Sequence, residues 1–177
     1  MSLGKVCAEG DYDKALQLIR EGHNLEEQVE YSHREWKLTD KPVRKCAPLI
    51  IASSEGYVHI VRALLGAGAN VHARDACPAR RRTALQYACG LGHLEVVKVL
   101  LNNGSEPNEP NECDTLTPLF RAIFYGYEDI ALELVSRLSE EDVGVKDSDG
   151  HSALYYAHRK TFSKCVELLL SLSLIHI

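Results

Sequence analysis

Apolar residues recur along this chain in two short runs separated by a glycine. In TALQYACGLGHLEVVKVLLNNG, which starts at Thr83, the side chains of Leu85, Ala88 and Cys89 share one face of a first helix, and Gly92 breaks it. Val96, Val97, Leu100 and Leu101 then form the apolar face of a second helix, which Gly104 ends. The same pair of runs fills APLIIASSEGYVHIVRALLGAG from Ala47, TPLFRAIFYGYEDIALELVSRL from Thr117 and SALYYAHRKTFSKCVELLLSLS from Ser152. Leu49, Leu85, Leu119 and Leu154 fall 36, 34 and 35 residues apart, and Ala52, Ala88, Ala122 and Ala157 keep the same spacing. Gly56, Gly92 and Gly126 continue the register, and Thr161 stands in the glycine slot of the last copy. A partial copy, VCAEGDYDKALQLIREG, opens the chain with Gly10 in that slot.

Helices this short are marginal alone, so each must bury its apolar face against the next copy. The expected fold is an all-α repeat solenoid of stacked helix–turn–helix units, about four full units plus a partial N-terminal capping unit. The units fall at approximately 4–27, 43–75, 79–110, 112–146 and 147–172, within a single domain over 1–172. An insertion at approximately 28–42 lengthens the first link. There Val29 and Tyr31, then Trp36 and Leu38, alternate with polar residues, which predicts an elongated β-hairpin or an ordered loop. Trp36, the only tryptophan, is expected either to pack back on the array or to anchor a partner. The next link is longer by about three residues at 76–78, and NNGSEPNEPNECD (102–114) reads as an exposed acidic loop. Residues 171–177, SLSLIHI, give a terminal unit no polar outer face, and SLIHI resembles translated adapter read-through. The tail at 173–177 is therefore held apart from the domain, with the expectation that the natural chain continues differently.

GAGANVHARD (66–75), TALQYACGLGHLEVVKVLL (83–101), TPLFRA (117–122) and DSDGHSALYYA (147–157) resemble the ankyrin-repeat family, over about residues 4–172. The resemblance implies stacked ankyrin repeats with projecting β-hairpin fingers. The family's usual histidine after Pro-Leu is replaced by Ile50, Gln86, Phe120 and Tyr155, which implies loss of a hydrogen bond that ties the turn. The missing glycine at Thr161 leaves the last inter-helix turn open. Family members bind partners through the finger tips and the exposed edge of the first helices, which line a concave groove. Carried over slot by slot, the tips offer Arg44, then Arg80 and Arg82 with Arg81 in a glycine slot, then Leu116, then His151. The helix edges offer Ser54 and Glu55, Gly90 and Leu91, Phe124 and Tyr125, and Arg159 and Lys160. Arg44, Arg74, Arg80 and Arg82 are expected to line one part of the groove, with Phe124 and Tyr125 further along it.

Charge sharpens this picture. The chain carries −5 in all, but residues 40–100 balance at +5 and residues 101–150 at −9. The basic middle centres on Arg80, Arg81 and Arg82, where like charges on a projecting finger stay hydrated. Arginine forks onto carboxylate or phosphate, and arginine and tyrosine dominate binding hot spots. The partner expected is a protein or peptide with an acidic stretch beside an apolar anchor, held by a chain that is monomeric in itself. A nucleic acid or other phosphate-bearing ligand on the arginine finger is the alternative, opposed by the acidic neighbouring segment. A second alternative is the substrate-recruiting part of a larger protein, such as a ubiquitin-ligase adaptor.

Catalytic chemistry has little support. No phosphate-cradling loop, nucleophile elbow or kinase signature is present, so a non-enzymatic module without cofactor is expected. Cys89 and His93 have the spacing of a nucleophile pair, yet the resemblance puts Cys89 in a packing slot that is usually Ala and His93 in the family's common Gly-His slot. Cys46, Cys77 and Cys113 with His72 or His151 lack the C-x-x-C spacing of a structural zinc site, so no metal is expected. Glu128 and Asp129 read as a helix start, and Asp147 and Asp149 as a turn. Six scattered cysteines, no apolar run of about eighteen residues and no secretory leader in MSLGKVCAEGDYDK point to the cytoplasm or nucleus, away from membranes.

Overall fold

Hydroxyl caps start most of the first helices of the repeats. Thr83 accepts the Gln86 N–H, Thr117 that of Phe120, and Ser152 that of Tyr155, so one orphan donor of each helix is satisfied by the residue that enters it. Pro48 and Pro118 stand in the first turn of their helices, where the missing N–H costs nothing. A computed structural model of the chain describes residues 2–32, 44–76, 81–111 and 116–173. Five helix pairs run through it. They are α1 (Leu3–Glu9) with α2 (Tyr12–Arg20), α3 (Pro48–Glu55) with α4 (Val58–Gly66), α5 (Ala84–Leu91) with α6 (Leu94–Asn102), α7 (Pro118–Tyr125) with α8 (Glu128–Val135), and α10 (Ala153–Arg159) with α11 (Ser163–Ser173).

First helices pack on first helices, in the order α1, α3, α5, α7, α10, and second helices stack likewise from α2 to α11. The core is therefore a continuous slab between two helical layers. Ala52, Ala88, Ala122 and Ala157 are fully buried and let the layers close. The landmarks Leu49, Leu85, Leu119, Val96, Val97 and Leu100 are buried with them.

Glycine at the inter-helix turn answers two demands at once. Gly92 has φ +82°, and a Cβ there would stand 2.5 Å from the ring of Tyr127 in the next repeat. Tyr57 covers Gly10 and His93 covers Gly56 in the same way, so each ring lies on the turn of the repeat before it. The last turn keeps this shape without glycine, with Thr161 itself at φ 58°.

Two strands, β1 (Val29–Tyr31) and β2 (Arg44–Cys46), pair antiparallel with Val29 opposite Cys46 and Tyr31 opposite Arg44. They are the base of the hairpin expected from the insertion, whose remainder, with Trp36, lies outside the described residues. The later fingers are shorter, closed by single bridges between Arg74 and Thr83 and between Lys146 and Ser152. One element has no counterpart in the periodic pattern. Helix α9 (Glu140–Val143) is a single turn in the last link, capped by Ser139 and Asp142, and Asn108 of the preceding link donates to the Asp142 carbonyl at 3.1 Å.

The absent family histidine is made good at one position. Gln86 Oε1 accepts the Thr83 N–H at 3.2 Å, and its Nε2 donates to the Glu109 carbonyl of the next link at 3.0 Å. The expected loss of a tying hydrogen bond therefore does not apply there, because an amide both accepts and donates across the same gap.

Candidate functional site

Three fingers close with one backbone bond. The N–H of Asp75 donates to the Arg82 carbonyl at 3.0 Å, that of Asn111 to Leu116 at 3.3 Å, and that of Asp147 to His151 at 3.0 Å. In the first and last of these, a tyrosine on the following helix then grips the aspartate. Tyr87 donates to Asp75 Oδ2, and Tyr156 donates to Asp147 Oδ2 at 2.6 Å. Asp147 Oδ1 also accepts the N–H groups of His151 at 2.8 Å and Asp149 at 3.0 Å. The Tyr156 hydroxyl and these amides hold the Asp147 carboxyl below the ordinary aspartate range, while the same carboxylate pushes the Tyr156 hydroxyl up to about 12.

Above this clamp the arginine finger turns on Arg81, a non-glycine residue at φ 44°, in the slot that Gly150 fills in the last finger. Arg81 is exposed. Arg74 braces the finger from below. Its Nη1 donates to the Arg81 carbonyl at 2.9 Å and its Nη2 pairs with Glu109 of the next link, both partners being mostly covered. The half-buried Arg82 has its guanidinium carbon 5.8 Å from the centre of the Tyr87 ring. Ala76 N–H donates to the Lys45 carbonyl at 2.9 Å, which couples this finger to β2.

On the first helices, Phe124 and Tyr125 are 59% and 53% exposed, while Phe120 and Ile123 of the same helix are buried. The two rings meet edge to face at 5.2 Å. Tyr125 lies over Gly90 of the preceding helix, and Lys160 Nζ stands 5.8 Å from the Phe124 ring centre. Next along, His151 stacks on Tyr155 at 4.1 Å, and Arg159 both covers that ring and donates to its hydroxyl at 3.0 Å. A cleft of about 220 Å³ opens between α7 and the last finger, lined by Leu116, Phe124 and Asp149 among others.

The sequence-derived residues thus fall into separate groups. Arg74 and Arg82 are engaged with the base of the arginine finger. Leu116 and Phe124 share the cleft, and His151 and Arg159 share Tyr155. Leu91 is half-buried at the end of α5, and Arg44 is placed by its backbone in β2. Arg80, Cys77 and Cys113 lie outside the described residues. Ser54 and Glu55, expected on the exposed edge, are instead covered by Tyr31 of β1. Tyr31 donates to Glu55, and the buried Ser54 hydroxyl donates to Tyr31 at 3.2 Å. Burial first, then the Glu55 bond, drives the Tyr31 hydroxyl pKa upward. The periodicity did not reveal Tyr31, because it belongs to the inserted hairpin and not to a repeat slot. The Asp–Tyr clamps were also missed, although the recurring pair is visible once the extra residues at 76–78 are allowed for.

The cysteines among the described residues are buried. Cys89 is enclosed, and burial pushes its thiol well above the ordinary range. His93 turns away to the preceding repeat, its Nε2 donating to the Ser54 carbonyl at 2.9 Å. Cys7 and Cys165 are buried thiols pushed up to about 12 and about 11, chiefly by burial. Asp147, Asp149 and His151 bring possible ligand atoms within 4.8 Å, but the hydrogen bonds that close the turn already explain their approach. No described helix is long and apolar enough to cross a membrane.

Stacked helix pairs, projecting fingers and an aromatic edge between them define a helical-repeat array. The family model of ankyrin repeats in three copies matches residues 3–111, 49–147 and 105–176, and the chain belongs to the ankyrin-repeat family. It is similar to ankyrin repeat and SOCS box protein 16 of Mus musculus, 38% identical over 48% of this chain and 17% of that protein. It is similar to probable E3 ubiquitin-protein ligase XBOS32 of Oryza sativa subsp. japonica, 32% identical over 70% of this chain and 24% of that protein. It is also similar to ankyrin repeat and KH domain-containing protein mask-1 of Caenorhabditis elegans, 32% identical over 71% of this chain and 5% of that protein. The matches thus span less than a quarter of each of these relatives. Ankyrin repeats are protein-interaction modules, generally without catalysis of their own.

Proposed function

We propose that the chain is a non-enzymatic scaffold, adaptor or inhibitor that holds a protein or peptide along its fingers and first helices. The carrying observation is the exposure of Phe124 and Tyr125, two large rings side by side where the rest of their helix is buried. Exposed apolar groups of this size mark an interface. The exposed Arg81, beside Arg80 and Arg82, supplies the basic end of the surface, which suits an acidic stretch of the partner. The internal engagement of Arg74 and Arg82 favours this reading over a phosphate-bearing ligand, because it leaves fewer cations to neutralise phosphates. Relatives named as ubiquitin ligases and as a SOCS box protein support a role as the substrate-recruiting part of a larger protein. The expected place of action is the cytoplasm or nucleus.

Cross-linking in cells followed by mass spectrometry tests the surface. Phe124→Ala/Tyr125→Ala should deplete the partners captured by the unaltered chain, and Arg80→Glu/Arg82→Glu should deplete the same set. A partner set that ignores both double variants would place binding elsewhere on the molecule.

A further inference from the structure

The cleft between α7 and the last finger has walls of unlike character. Leu116, Phe120, Phe124 and Tyr156 line it with apolar and aromatic surface, and Asp147, Ser148 and Asp149 line it from the finger. Its volume of about 220 Å³ suits one large aliphatic or aromatic side chain. Asp147 is a fixed anion, since its two oxygens take three donors from its own turn and from Tyr156. Asp149 is exposed beside it. The cations Lys160 and Arg159, at the end of α10, lie against the Phe124 and Tyr155 rings. Negative charge thus faces the cleft from the finger, and positive charge flanks the helix edge.

We infer that this cleft receives one large apolar side chain of a partner peptide whose adjacent residue is a lysine or arginine held against Asp149. The inference rests on the groove reading above and refines it. The partner's acidic stretch belongs at the arginine finger, and its apolar anchor is flanked by a cation at the opposite end. Charge complementarity sets both the register and the direction of the bound segment. An acidic residue beside the anchor would meet Asp147 and Asp149 and be repelled.

Selection of displayed random dodecapeptides on the full chain provides the test, with a fluorescein-labelled copy of the dominant peptide measured by anisotropy. Enriched peptides should carry Lys or Arg next to Leu, Ile, Met or Phe. Phe124→Ala should weaken the labelled peptide about tenfold or more, as loss of a central apolar contact does. Asp149→Lys should weaken it about tenfold at low salt, less at high salt. Both residues are exposed, so unchanged urea midpoints would exclude unfolding as the cause. Enrichment of acidic residues beside the anchor, or indifference to Asp149→Lys, would overturn the inference. Sensitivity to Phe124→Ala/Tyr125→Ala would then still uphold the groove reading. Absence of any enrichment over a blank surface would overturn both.

Discussion

In the finger before α5, Asp75 stands twelve residues ahead of Tyr87; in the finger before α10, Asp147 stands nine ahead of Tyr156. Each aspartate nevertheless receives the tyrosine hydroxyl, and each donates its own N–H to the residue that ends the turn. The two fingers share the same base although one holds three more residues between its aspartate and its tyrosine. What differs is the crown. One finger carries Arg81 and Arg82, the other Asp149 and His151. The pair shows how a repeat separates its duties: buried hydrogen bonds set where the finger stands, and the tip is free to choose the sign of charge it presents.

The largest expected effect comes from breaking the clamps themselves. Asp147→Ala removes the acceptor of three donors and should destabilise the chain by about 2–3 kcal/mol in urea unfolding, with Asp75→Ala close behind. Acid titration sharpens the contrast. The Asp147 carboxyl is depressed by folding, so its contribution is complete above the unfolded value near about 4 and is lost as pH falls through the lower folded value. The urea midpoint of the natural chain should fall more steeply between about pH 5 and 2 than that of Asp147→Asn.

A smaller effect is expected at the Arg74 brace of the arginine finger. A double-mutant cycle with Arg74→Ala and Glu109→Ala should return a coupling of about 1 kcal/mol, at the upper end for a pair not fully buried. Coupling near zero would mean that the Arg74–Glu109 pair does not brace the finger. The smallest change expected is at the turn. Arg81→Gly should stabilise by about 0.5 kcal/mol, the relief of positive φ being partly offset by chain entropy, whereas Gly150→Ala should cost about 1 kcal/mol. Thermal unfolding of the two variants reads this directly.

The repeats were legible in the sequence because burial of Leu49, Leu85 and Leu119 and of the alanine series repeats with the chain's own period. The exposed pair Phe124 and Tyr125 was legible for the same reason, since its slots lie off the buried stripe. The remainder is set by contacts without a period. Arg74 reaches Glu109 thirty-five residues away, and Tyr31 reaches Ser54 and Glu55 from an insertion that has no equivalent in other repeats. Helix α9 was not legible because a four-residue turn held by Ser139 and Asp142 has no apolar spacing to betray it.

The rings that sit on the turns of their neighbours have a mechanical consequence. Tyr57, His93 and Tyr127 fasten the first four repeats in series, but at Gly126 no atom of the described residues comes within 4 Å of where a Cβ would be. Among the described residues the final helix pair therefore lacks the rivet its predecessors share. Pulled from both ends, the array should peel from α10 and α11 first, and native-state hydrogen exchange should find its fastest-opening helices there.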